Sequence, residues 1–146
     1  MDRAKTLIQE TLVKWKPLMG LAPWRITTHY YRAYKDAPKE HRRTKKQRGA
    51  RMWIDVDYQY LRAYVNVMLP DCIGVGKDEL RENVRHELAH AVVNEMRQWR
   101  AGPVVHCMDH EERVVSTLAP AFEWTFNAGY NEGKADLCKK QKRARP

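Results

Sequence analysis

Apolar residues recur along this chain with two periods, near 3.6 and near 2, and the changes between them mark out six elements. Over 3–19, Leu7, Ile8, Leu12, Trp15 and Leu18 or Met19 fall at helical spacing, with Pro17 near the end and Gly20 as a stop. Residues 24–31 alternate and are rich in Trp, Ile, Thr and Tyr, which suits a strand. Over 52–58 the alternation sets Met52, Ile54, Val56 and Tyr58 against Trp53, Asp55 and Asp57. Over 62–69 it sets Ala63, Val65, Val67 and Leu69 against Tyr64, Asn66 and Met68, so both stretches read as strands with one buried face. Pro70-Asp71 and Gly74-Val75-Gly76 then interrupt the pattern. Helical spacing returns over 78–100, where Leu80, Val84, Leu88, Ala91, Val92 and Trp99 form a stripe. Asp78 is placed to cap this helix, Glu79 and Glu82 suit its positive end, and Gly102-Pro103 stops it. Glu111 opens a last helical pattern through Val114, Val115, Leu118 and Phe122, in which Pro120 should kink or shorten the helix. The order of helix, three strands, helix and helix predicts an α+β fold: a small, mainly antiparallel sheet of about three strands packed on helices.

A chain of 146 residues with 43% hydrophobic residues and five Trp is large enough to bury a core, and 1–130 reads as a single domain. No run of 18 apolar residues occurs, so no membrane span is expected. Met1-Asp2-Arg3-Ala4-Lys5 is not followed by an apolar signal region, and Cys72, Cys107 and Cys138 are odd in number and far apart. Reduced thiols and a cytoplasmic location are the expectation.

The net charge of +9 is uneven. Eight Lys or Arg lie between Lys35 and Arg51, against only Asp36 and Glu40, and a second cluster runs from Lys134 to Arg145. Both are poor in apolar residues, so 35–51 reads as a mobile basic loop and 131–146 as a basic, flexible tail. The stretch from Lys35 to Arg51 is suited to attract nucleic acid or another polyanion. No aromatic residue interleaves it, so it offers no platform for base stacking.

The chemistry concentrates in His86-Glu87-Leu88-Ala89-His90, an H-E-x-x-H match inside the helical stretch 78–100. On a helix His86 and His90 are one turn apart, their imidazoles point the same way, and they fall roughly opposite Leu88. Two neutral imidazoles from one rigid turn are what zinc needs from its first two ligands. Glu87 lies about 100° round from His86, where a carboxylate can serve as general base without occupying the metal. A catalytic zinc takes three protein ligands and keeps one position open. The candidates for the third are His106, Cys107, Asp109, His110, Glu111 and Glu112. Glu111 is favoured because it is centred on the apolar face of its helix, where coordination would offset the cost of a buried carboxylate. Glu112 lies towards the flank, and Glu112, His110 and His106 stay open. A lone Cys107 is more often a small buried hydrophobe.

H-E-x-x-H on one helix with Glu on the next resembles the gluzincin branch of the zincin metallopeptidases. The small size and element order are similar to those of the minigluzincins and of other small metallopeptidases of phages and bacteria. His110-Glu111-Glu112-Arg113-Val114-Val115 is similar to their glutamate helix. The likeness spans about 24–122, and its specific part is the HELAH motif. It implies a zincin-like fold, a Zn2+ site made by His86, His90 and Glu111, and Glu87 as catalytic base. It also implies a peptide or protein substrate lying along the strand 62–69. The activity so implied is that of a zinc-dependent hydrolase, a small metallopeptidase in which Glu87 activates zinc-bound water. SprT-like DNA-associated proteases also carry H-E-x-x-H, followed by a third histidine, and His106 or His110 fits that variant. A different class of reading is a zinc-containing, non-catalytic module that binds nucleic acid or protein through the basic loop and tail.

Overall fold

The computed structural model describes residues 2–41, 51–98 and 104–143; the side chains of 40, 94–98, 104–112, 132, 133 and 135–143 lie outside the description. The fold is α+β, with helices α1 (Asp2–Leu18), α2 (Lys77–Gln98) and α3 (Val104–Arg143) and strands β1 (Arg25–Tyr31), β2 (Met52–Asp57) and β3 (Arg62–Met68).

The apolar stripe of α1 is buried as expected: Ile8, Leu12 and Trp15 enter the core. Its end is a Schellman turn, in which the N–H of Leu21 bonds the carbonyl of Lys16 at 2.9 Å and that of Gly20 bonds Pro17 at 3.1 Å. Gly20 takes a φ of 74°, which a side chain would resist, and the buried Leu21 follows it. Helix α2 begins differently from the expectation. The N–H of Leu80 bonds the carbonyl of Gly76, so Gly76 stands at the cap. Asp78 lies inside the first turn and pairs with Arg81 at 3.0 Å.

The sheet order is β1-β3-β2, with β1 parallel and β2 antiparallel to β3. It is therefore mixed, not mainly antiparallel. The cause is that β3, with Ala63, Val65 and Val67 all fully buried, takes the central place, while the more polar β1 becomes an edge. The tight turn from β2 to β3 through Tyr58–Tyr60 and Leu61 fixes those two strands as antiparallel. The chain between β1 and β2 must then arch over the end of β3 to reach the other edge. Tyr34 and Arg51, near the two feet of that arch, both bond Asp71, where the chain leaves β3: Tyr34 Oη to Asp71 Oδ1 at 2.7 Å, and Arg51 Nε to the Asp71 carbonyl at 2.9 Å. Residues 42–50 of the basic stretch lie outside the described residues.

One face of the sheet joins the helices in the main core, through Met52, Ile54, Val56, Ala63, Val65 and Val67. The opposite face was expected to be exposed, yet its Trp53 and Met68 are buried. The start of the arch folds over them, with Ala37, Tyr31 and Tyr34 completing a second small cluster.

Helix α2 is buried on two flanks. Leu80, Val84, Leu88 and Ala91 lie on one flank and Ala89 and Val93 on another, because α2 sits between the sheet and the other helices. Val92 is half-buried, and Trp99 lies outside the described residues. Helix α3 starts seven residues before Glu111. It continues through Pro120, a position that gives up one backbone hydrogen bond, and on to Arg143. Most of the stretch expected to be a flexible tail is thus helical. Val115 and Ala119 anchor α3 in the core.

Arg85 ties the three helices together. It is buried, its Nη2 donates to Glu123 Oε2 of α3 at 2.5 Å, and its guanidinium lies over the ring of Trp15 of α1 at 5.5 Å. Removing one partner of such a pair leaves a desolvated charge behind. With Glu123 itself 42% exposed, Glu123→Ala should cost about 2–3 kcal/mol in urea unfolding, below the range for a fully buried pair. Glu82→Ala, an exposed change on the same helix, should stay within about 0.5 kcal/mol. Equal midpoints for the two variants would remove the clamp.

Burial pushes the Cys72 thiol above its ordinary range, with the Arg51 charge opposing in part. The folded state then holds this proton to a higher pH than the unfolded state does. Stability should therefore fall as pH rises past the unfolded thiol value of about 8.5. Cys72→Ala should lack that share of the fall when melting curves of the two proteins are compared across alkaline pH.

Candidate metal centre

His86 and His90 sit on adjacent turns of α2, both half-buried, and their side chains converge. The two Nε2 atoms are 3.2 Å apart and the rings are inclined at 77°. Two imidazole nitrogens bound to one tetrahedral zinc at about 2.0–2.1 Å stand about 3.3 Å from each other. The observed separation therefore fits a shared metal. Without a metal the same contact is an N–H···N hydrogen bond in which one ring donates and the other accepts. Glu87, between the histidines in sequence, is 8% exposed, so its carboxyl group is held in a largely desolvated place. The rigid double-sided burial of α2 fixes all three side chains on one framework.

The third ligand is a separate matter. Among the described residues no group of three or more His, Cys, Asp or Glu side chains is arranged to hold a metal ion. The side chains of His106, Cys107, Asp109, His110, Glu111 and Glu112 lie outside the described residues. Their backbone belongs to the first turns of α3, which returns along α2 after a connection of only five residues, 99–103.

A cavity of about 570 Å³ opens elsewhere, on the flank of α2 that carries Asp78, Arg81, Glu82 and Arg85; neither motif histidine lines it. The convergence of the histidines is better evidence for chemistry than this volume, because it brings ligand-type nitrogens to one point. Two further features escaped the sequence reading. Arg85 adjoins the motif, and nothing local marks it, because its burial depends on Trp15 and Glu123, which are distant in sequence. The free edge of the sheet was placed on the wrong strand. Strand β3, expected to form a substrate rim, is paired on both sides, and β2 is the antiparallel edge that packs against α2.

No protein-family model, no curated protein and no solved structure matches the chain. The site therefore rests on its own geometry.

Zinc binding to the candidate variants separates the possible ligand sets. His86→Ala and His90→Ala should each abolish the zinc-dependent rise in melting temperature, because a metal bound only by the folded state stabilises it by RT ln(1 + [L]/Kd). Glu111→Ala should lose zinc at low concentration, and Glu112→Ala should keep most of it. His106→Ala and His110→Ala complete the set. Loss confined to one of these histidine variants would replace the glutamate ligand by histidine. Equal binding by all four would reduce the site to an adventitious histidine pair.

Proposed function

We propose that the chain is a zinc-dependent hydrolase of zincin-like fold, a small metallopeptidase of the gluzincin kind. The observation that carries this reading is the 3.2 Å convergence of His86 and His90 Nε2 beside the buried Glu87. His86 and His90 would hold the metal with a third ligand from the start of α3, Glu111 first among the candidates. When bound, zinc supplies Lewis-acid polarisation of a carbonyl and a lowered pKa for water. The protein's own part is proton handling and positioning. A carboxylate oxygen of Glu87 takes a proton from the attacking water and returns it to the leaving amine.

The edge strand supplies the positioning. Arg51 and Met68 form a hydrogen-bonded pair, so by alternation the N–H and C=O groups of Met52, Ile54 and Val56 point away from β3. An extended peptide added along that edge would gain main-chain hydrogen bonds without a demand for particular side chains. This suits a protease of broad sequence tolerance. Among the described residues no helix is long and apolar enough to cross a membrane.

Glu87→Gln keeps the shape of the residue and removes the base. The variant should bind zinc like the parent and lose a factor of about 10²–10⁴ in hydrolysis. The assay is cleavage of a quenched-fluorescence peptide library by zinc-loaded protein. Turnover equal to that of the parent would overturn the role of Glu87, and no cleavage by either protein at any zinc level would overturn the hydrolase reading.

A further inference from the structure

The two faces of the sheet end up differently. The helices cover one. On the other, alternation sets Arg25, Thr27, His29 and Tyr31 of β1 beside Arg62, Tyr64, Asn66 and Met68 of β3. Among the described residues, Tyr34, Ala37 and His41 roof the end at Tyr31, Trp53 and Met68; there the ring of Trp53 stacks with that of Tyr31 and with that of His41. Toward the opposite end Arg25, His29 and Arg62 are exposed and Tyr64 is half-exposed. The rings of His29 and Tyr64 lie 5.5 Å apart at 32°, and the Arg62 guanidinium lies over the exposed ring of Tyr60 at 5.3 Å. Arg25 and Arg62 are direct partners in the parallel register. Asp57 of β2 faces Arg62 from its other side, so the surplus positive charge lies towards Arg25 at the β1 edge.

We propose that this open sheet face binds single-stranded nucleic acid, with bases stacked on His29 and Tyr64 and phosphates held by Arg25 and Arg62. The charge of the chain, +9, favours a polyanion. The distribution on the face selects the path. The acids Asp55 and Asp57 lie on β2, whereas the cations and aromatic rings lie on β1 and β3. Asn66, at the centre, has its amide occupied by Asp55 at 2.8 Å and by Tyr31 at 3.0 Å, which leaves ring faces as the available contacts there. Stacking of this sort is sequence-tolerant and requires unpaired bases, so a duplex does not satisfy it. The platform missing from the basic stretch is thus supplied by the sheet. This surface is separate from the histidine pair and does not depend on the hydrolase reading.

The test is fluorescence anisotropy of the full chain with a labelled oligothymidine of about a dozen nucleotides, and with a duplex of the same length, across a salt series. The single strand should bind more tightly than the duplex. His29→Ala and Tyr64→Ala should each weaken it about five- to hundred-fold, the range for loss of one stacked base, and Tyr64→Phe should retain affinity. Arg25→Ser with Arg62→Ser should lower the salt slope by about 1.4, the share of two phosphates on a single strand. Replacing Arg42, Arg43, Lys45 and Lys46 with Ser should weaken single strand and duplex alike. His29 is exposed, so its variant tests the stacking even where Tyr64→Ala does not fold. Binding of His29→Ala equal to the parent, a duplex bound as tightly as the single strand, or no binding at low salt would each overturn the proposal.

Discussion

The burial of α2 from two sides is the constraint on which the rest of the molecule depends. A helix at the surface needs one apolar stripe; this one carries Leu80, Val84 and Leu88 towards one neighbour and Ala89 and Val93 towards another. Small residues on the second flank let a neighbouring helix approach closely. Such packing leaves little freedom for rotation about the helix axis, so side chains on the remaining flank keep their direction. That is the condition under which two histidines one turn apart act as a single chelating unit rather than as two independent surface groups. Arg85 adds a polar lock to the apolar one, joining Trp15 and Glu123 across the helix that bears the motif.

Such a lock has a cost. A guanidinium removed from water needs its partners in place, and Arg85 has one carboxylate and one aromatic face in place of a full hydration shell. Its Nε has no hydrogen-bond partner among the described residues. An apolar residue of similar volume could give a more stable helix junction; what the ion pair adds is a fixed register, since Glu123 can meet Arg85 at only one position along α3.

Much of the fold was legible in the sequence because it is written in local periodicity. The stripe of α1, the alternation of β2 and β3 and the helical setting of HELAH are each decided within a dozen residues, and the spacing of His86 and His90 guarantees their proximity once a helix forms. What was not legible depends on distant partners. Nothing local says that β3 rather than β2 takes the middle of the sheet, so the parallel pairing of β1 was missed and the free edge misplaced. Trp53 and Met68 occupy the face that alternation marks as outward, and only the folding of 33–41 across the sheet buries them. Pro120 argued for a break in α3, but a single lost hydrogen bond is outweighed by a core-anchored helix on either side of it. Which residue would complete the proposed metal site could not be read from spacing, because several candidates crowd into two turns. His29 and Tyr64 are each ordinary in a strand, and they become neighbours only through the β1–β3 register.

The arch over β3 is longer than its geometry demands. The end of β1 and the start of β2 lie at the same end of the sheet, on either side of one strand, about 10 Å apart. Some four extended residues cover that distance. The chain uses twenty, 32–51, and concentrates its positive charge there. Loop-closure entropy rises only slowly with length, so length by itself costs little. Residues 33–41 roof Trp53 and Met68, so the part of the connection free to change while the sheet stays the same is the remainder, 42–50. It is the part of the molecule where evolution or engineering can insert, delete or recharge residues and alter what the protein meets without altering how it folds.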